Sequence, residues 1–176
     1  RWAMDSRICC TAAMVWLRRR GALARVIMMA GALERALELS VQYAQQRVQF
    51  GRRIGQFQAI QQELARFGGE VAAAVAVAMS AAGVLERCGA GHEVQAELAV
   101  ASAKVRVAQA AQEGALIAHQ VHGAIGVTDE HALHHSTLRL WAWREEYGNE
   151  VEWADVLGRA VLAGGADGLW PALTNN

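Results

Sequence analysis

"QRVQFGRRIGQFQAIQQELA", residues 46–65, decides how this chain is read. Its right-hand part begins an amphipathic helix. Its left-hand part packs Phe50, Gly51, Arg52, Arg53 and Gly55 into a tight interruption, with Arg47 just before it. On either side the sequence is helical. Leu17, Ala24, Met28, Ala32, Leu39 and Tyr43 recur at near-helical spacing, which predicts a first helix over about residues 12–48 that ends at Phe50-Gly51, where a glycine relieves the backbone. A second helix is expected from about Gln56 to Leu85, stopping at the glycines of "ERCGAGHE", and a third from about Glu93 to His122. "HGAIGVTDEH" breaks the pattern. Thr128 stands where an N-cap would open a fourth helix, with Asp129 and Glu130 in a first turn whose dipole favours acids. That helix carries "HALHHSTLRLWAWREE" to Tyr147-Gly148, and a shorter segment, "EWADVLGRAVLAG", follows. No strand and no internal repeat emerges. Long helices with short connections predict an all-α, antiparallel four-helix bundle over residues 12–165, between an irregular segment at 1–11 and a tail at 166–176.

The bulk composition agrees. A chain of 176 residues, 53 % hydrophobic and 19 % charged with one proline, is sized and composed for one helical domain with a sizeable core. Seventeen basic residues balance seventeen acidic ones, which gives no electrostatic footprint for nucleic acid. The longest apolar run, "VAAAVAVAMSAAGVL" from Val71, reads as too short and too alanine-rich for a membrane span. No export signal is recognisable at the start. Cys9, Cys10 and Cys88 are odd in number and lack metal-ligand spacing, so a reducing cytoplasm is the expected location.

Two segments carry a family resemblance. "YAQQRVQFGRRIGQFQAIQQELA", from Tyr43, resembles the "YAxxRxQFGxxIxxFQAIQxxLA" signature of acyl-CoA dehydrogenases. "QVHGAIGVTDEHALH", from Gln120, resembles that family's "QxxGGxGxTxEHxLxR" segment. The likeness covers about residues 12–165 and is to the C-terminal helical domain; complete members also carry an N-terminal helical domain and a middle β-domain. It implies FAD as cofactor and an acyl-CoA thioester as substrate, dehydrogenated between Cα and Cβ. It also implies a homodimer or tetramer, or a heteromer with another acyl-CoA dehydrogenase subunit, and an electron-transferring flavoprotein as acceptor. Residue by residue, the arginine matching Arg47 reaches the FAD of the neighbouring subunit, Phe50 packs beside it and Gln58 contacts it. Gln120, Gly123 and Ala124 let the backbone approach its adenosine diphosphate part, with Ala124 replacing the usual second glycine. Gln49, Gly148 and Glu150 fall at further cofactor-contacting positions.

Proton abstraction beside a thioester needs a positioned carboxylate. The family places it at one of two points. On the first helix the matching residue is Ala24, which cannot be a base. At the end of the last long helix, aligning "NEVE" with the family's "xxIQ" puts Glu146 at the base position, Tyr147 at the following glycine and Gly148 at the usual threonine. A register slip would nominate Glu145 instead. A subunit that has lost the base and serves a partner which keeps it is the alternative, as an oligomerisation and FAD-contacting module. The isolated chain is expected to be inactive.

Other clusters read more simply. His131 is the signature histidine, and His134 and His135 belong to a partly exposed face rather than a metal site. A di-iron bundle needs inward Glu-x-x-His pairs, and the sequence has none. Trp141, Trp143, Trp153 and Trp170 are expected to pack the last helix and tail, with part of the stripe at a subunit contact. Arg18, Arg19 and Arg20 read as a solvated face, with coenzyme A phosphates as the sharper alternative.

Overall fold

The computed structural model describes the backbone of residues 2–87 and 93–174 and the side chains of residues 13–87 and 93–165. Cys9, Cys10, Cys88 and Trp170 lie outside the described side chains. Five helices make the bundle: α1 (Trp2–Gln46), α2 (Gln58–Arg87), α3 (Glu93–His122), α4 (Leu133–Glu145) and α5 (Glu150–Thr174). The all-α reading holds. The sequence separates the last helix only as a short segment, and it is α5.

Four details differ from expectation. The helix α1 begins at Trp2, so within the segment 1–11, expected to be irregular, the backbone of residues 2–11 is helical; no glycine or proline occurs before Gly21 to stop it. Likewise α5 runs into the expected tail, interrupted at Gly165 by non-helical backbone (φ 67°, ψ 177°). A small hairpin, β1 (Val48–Gln49) and β2 (Arg52–Arg53), stands where no strand is expected. Val48 pairs with Arg53 and Gln49 with Arg52, leaving Phe50 (φ 52°) and Gly51 (φ 79°) as a two-residue turn. Positive φ at both turn positions matches the twist of an antiparallel pair, which is why the chain doubles back rather than simply ending a helix. Finally, Thr128 does not cap α4. Its hydroxyl donates to the Ile125 carbonyl at 2.9 Å, closing the 3-10 turn Gly123–Val127, and α4 starts at Leu133, whose amide donates to His131 Nδ1 at 3.2 Å.

α3 is the hub and touches α1, α2, α4 and α5. Half of its residues are buried, most of them alanine, so neighbouring helices can close on it from several sides. The core continues through Val26, Met29 and Leu33 of α1, Phe67 of α2, Leu133 and Leu140 of α4 and Trp153 of α5. At 1 % exposure Trp153 fits the packing role expected for it. Two arginines of "WLRRRGA" join the packing, while Arg20 is exposed as expected of a solvated face. Arg18 pairs with Glu152 at 2.8 Å and lies over the Trp153 ring, while Arg19 donates to the Glu93 carbonyl at 2.9 Å. α2 has the length and hydropathy (1.6) of a bilayer-crossing segment, although the run from Val71 alone reads as too short. In the fold it is a bundle helix whose Phe67, Val71, Ala74, Ala78, Ala81 and Val84 are buried.

One charged group sits in this core. Lys104 of α3 is 0 % exposed, and its Nζ donates to the carbonyls of Trp143 (2.9 Å) and Glu146 (2.8 Å). Burial lowers its pKa from 10.5 to about 8, with Arg25 adding to the effect and Glu145, Glu146 and Glu150 opposing it.

Two outcomes follow from this packing. A methyl group at Gly114 would lie 2.5 Å from Phe67 Cε2 and 2.8 Å from Leu33 Cδ2, so G114A is expected to lower urea stability by ~1–3 kcal/mol. F67L should relieve part of that loss, measured as a non-additive double mutant. For Lys104, the unfolded chain keeps its proton to about pH 10.5 while the native chain releases it near pH 8. Stability therefore rises with pH across that window, by at most ~3 kcal/mol, and a K104M variant should lack the rise in urea titrations.

Candidate functional site

The C-terminal end of α1 and the N-terminal end of α2 are joined by the hairpin and a 3-10 turn, Ile54–Gln56. The Arg47 carbonyl accepts from the Ile54 amide at 2.9 Å, which ties the turn back to α1. Gly55 lies so close to α1 that a Cβ there would sit 3.1 Å from the Ala44 carbonyl oxygen. Gln61 Nε2 donates to the Gly55 carbonyl at 3.0 Å. The interruption is thus a fixed scaffold held over the end of the bundle. Against it lies the C-terminal end of α3, which passes through Gln120 into Gly123 (φ 64°).

Between these elements is an open cavity of about 560 Å³. Arg47, Gln49, Phe50, Gln120, Gly123 and Ala124, six of the candidate cofactor residues, line it together. Phe50 is 92 % exposed, and its ring stands edge-on to Phe57, 6.2 Å away, while Arg52 lies over the Phe57 face at 4.1 Å. Arg47, Arg52 and Arg53 make no ion pair among the described residues. Of these three cations Arg47 lines the apolar hollow, while Arg52 and Arg53 stand on the hairpin strand β2. At Gly123 there is open space where a Cβ would stand, so nothing but backbone meets a ligand at that point.

Gln58 stands apart. It is exposed at the start of α2, between the lining residues Phe57 and Ala59, but is not itself a wall of the cavity. The sequence reading does not single out Ile54, Ile60, Val121 or His122 as walls, although His122 lies inside the quoted "QVHGAIG". His122 is buried, its ring stacked on Tyr43 (4.7 Å) and set edge-on to His131 (4.6 Å). Burial lowers its pKa, with His131 and His119 contributing, so the ring is held neutral. That stack accounts for His131, while His134 Nδ1 meets the His131 carbonyl at 2.7 Å. Among the described residues no group of three or more His, Cys, Asp or Glu has metal-binding geometry.

Glu146, Gly148 and Glu150 are not brought to this cavity. They form the corner between α4 and α5, against the first half of α1. Glu146 Oε2 accepts from Arg25 Nε at 2.5 Å. The Arg25 guanidinium also faces the Trp143 and Tyr147 rings, at 5.8 and 6.0 Å. Glu150 is engaged by Arg144 through both of its oxygens. Gly148 (φ 98°) is hemmed in: a Cβ would lie 2.7 Å from Arg18 Nη2 and 2.9 Å from Trp153 Nε1. Tyr147 has left-handed backbone (φ 58°), and its ring fills the notch at Gly21, where any Cβ would meet it at 2.3 Å. Arg25 on α1 and Arg47 just past its end mark the two regions, 22 residues apart and so roughly 33 Å along the helix axis. The sequence reading omits Arg25 and Lys104. Lys104 had a signal: it is the sole lysine among seventeen basic residues, set in an alanine-rich helix.

The geometry is shared with known proteins. Residues 10–150 match the family model for the acyl-CoA dehydrogenase C-terminal domain. The acyl-CoA dehydrogenase IpdE2 of Mycobacterium tuberculosis is 42 % identical over 104 residues, covering 59 % of this chain and 30 % of that protein. The acyl-CoA dehydrogenase FadE27 of the same organism is 36 % identical over 123 residues, covering 68 % and 33 %. The crystal structure of the ChsE4–ChsE5 complex from Mycobacterium tuberculosis superposes with a TM-score of 0.77 at 32 % identity, over 86 % of this chain and 40 % of that one. Butyryl-CoA dehydrogenase from Megasphaera elsdenii gives 0.77 at 26 %, over 85 % and 38 %. The chain spans about a third of the length of the curated relatives it matches. With the signature residues gathered at one end of a bundle of matching shape, the chain belongs to the acyl-CoA dehydrogenase family, as a C-terminal helical domain.

Proposed function

We propose that this domain serves an FAD-dependent, cytoplasmic acyl-CoA dehydrogenase, with the cavity between the hairpin and the end of α3 as its cofactor-contacting surface. The observation that carries the reading is the convergence of Arg47, Gln49, Phe50, Gln120, Gly123 and Ala124 on one open hollow. The residues fit a ligand with phosphates and a flat ring system. Arg47 is the cation poised to bind a pyrophosphate, which it can do through two parallel N–H donors at any working pH. Phe50 offers an exposed aromatic face. Gly123 leaves its backbone open to close approach, and the Ala124 methyl borders the same hollow. When bound, FAD supplies the hydride acceptor.

Glu146 is the carboxylate assigned to take a proton from Cα of the acyl-CoA. Within one protomer the cavity and Glu146 are too far apart to serve one reacting centre. A pair of copies, each lending its hairpin to the other's cofactor, removes the difficulty; a two-fold dimer repeats such an exchange on both sides. A heteromer with another dehydrogenase subunit does the same with non-identical partners, and an electron-transferring flavoprotein is the proposed acceptor.

A second reading, a non-catalytic module that contacts FAD and drives assembly, is favoured by one feature. Glu146 is held at 2.5 Å by Arg25, with Tyr147 wedged into the Gly21 notch beside it. A base has to exchange that ion pair for substrate.

The two readings part on a pair of variants in the assembled protein. R47A is expected to weaken FAD retention at least tenfold, by ~1.5–3 kcal/mol, with the oligomer unchanged on a sizing column. Undiminished flavin absorbance would remove Arg47 from the site. E146Q is expected to lower turnover of an acyl-CoA series by ~10²–10⁴ with FAD still bound. Turnover that survives the change would assign catalysis to a partner subunit.

A further inference from the structure

We infer that Lys104 is the positioning residue for Glu146: its ammonium ties the carbonyls that end α4 and so sets the corner from which Glu146 projects. The inference rests on the reading of Glu146 as the base, and it extends that reading to a residue on a different helix.

Lys104 is the sole lysine in the chain; every other basic residue among the seventeen is arginine. Among the described residues it is also the lysine or arginine placed at 0 % exposure, in the first half of α3. Trp143 and Glu146, whose carbonyls it holds at 2.9 and 2.8 Å, belong to the last turn of α4 and its C-cap. Carbonyls at a helix end have no partner within the helix and carry the negative pole of its dipole. A buried cation satisfies both conditions. A compact ammonium on a slim stem needs less room than a planar guanidinium.

The corner beyond is held against its own preference. Tyr147 (φ 58°) and Gly148 (φ 98°) are both left-handed, a conformation that a tyrosine keeps only when its surroundings impose it. Trp153 Nε1 donates to the Tyr147 carbonyl at 3.1 Å, and the Asn149 side chain accepts the Val151 and Glu152 amides at 3.1 Å each, opening α5. Lys104 is the fixture on the α4 side. With that end anchored, the Glu146 side chain leaves the corner towards Arg25. Glu145, Glu146 and Glu150 are the carboxylates around the ammonium, and Arg25 is the second cation. Replacing the Lys104 side chain by an apolar one leaves the part-buried Trp143 and Glu146 carbonyls without their donor, and the corner, rather than the helical core, is where that strain can be released.

The test uses the ¹⁵N-labelled chain itself, as wild type, K104M and K104R. The expected result in K104M is amide exchange at Glu146–Glu150 at least tenfold faster, with Val107–Val121 changed less than threefold. The Arg25 Nε–H resonance, identified by its loss in E146Q, should vanish together with that protection, and K104R should restore part of both. Unchanged corner exchange, a persistent Arg25 resonance, or an equal rise throughout α3 would each overturn the inference, the last by reducing Lys104 to a general stabiliser. If K104M does not fold, acylation of the wild type with an N-hydroxysuccinimide ester decides instead. Lys104 should react at least a hundredfold more slowly than the N-terminal amine at pH 8, and equal rates would overturn the tether. No flavin enters these readouts, so their failure is separate from a failure of the dehydrogenase reading.

Discussion

Close approach to α3 is the constraint on which the rest of the domain depends. This helix touches all four others, and it can do so because the side chains it buries are mostly alanines, which leave neighbouring backbones free to come near. Gly114 takes the logic to its limit, since the Phe67 ring and a Leu33 methyl occupy the space a Cβ would need. Large residues are then required on the partners rather than on the hub, and Phe67, Met29, Leu33 and Trp153 supply them. Against this small-residue surface Lys104 is an exception in size and charge. An ammonium taken out of water costs more than an apolar side chain of the same length unless its donors are met. The two carbonyls at the end of α4 meet them, and they couple the hub directly to the α4–α5 corner.

The same hub keeps the two candidate regions apart. One end of α3 delivers Gln120 and Gly123 to the cavity beneath the hairpin, while its first half holds the corner that carries Glu146. Rigid helices fix the separation, at roughly 33 Å along the α1 axis. A domain built this way presents a hollow lined by Arg47 at one end and a paired carboxylate towards the other. It is suited to sites shared between chains, which is the arrangement proposed here.

Much of this was legible in the residues. Helical periodicity located the long helices, because an apolar stripe at 3.6-residue spacing has one geometric meaning over thirty residues. "QFGRRIG" and "QVHGAIG" also declared themselves, since glycines inside a helical pattern demand a turn or a close approach, and both segments prove to line one cavity. Local turn chemistry was harder. Phe50 at φ 52° is a conformation no propensity predicts for phenylalanine, so the two-residue hairpin stayed hidden. Thr128 looked like a cap, but its hydroxyl is spent on the Ile125 carbonyl of the preceding turn. Long-range pairings were out of reach altogether. Nothing in "LARV" announces that Arg25 meets Glu146, and nothing near Lys104 names Trp143, because those contacts exist only once the helices have packed.

The central claim is that the hollow under the hairpin is a flavin-nucleotide surface, and mapping amide shifts of the labelled chain during an FAD titration tests it most directly. The account predicts saturable shifts at Arg47–Gly51 and Gln120–Ala124, reproduced by ADP for the Gln120–Ala124 segment and reduced by salt as the arginines are screened. Shifts centred on Glu146–Glu150 within the same protomer, or none at millimolar FAD, would contradict it.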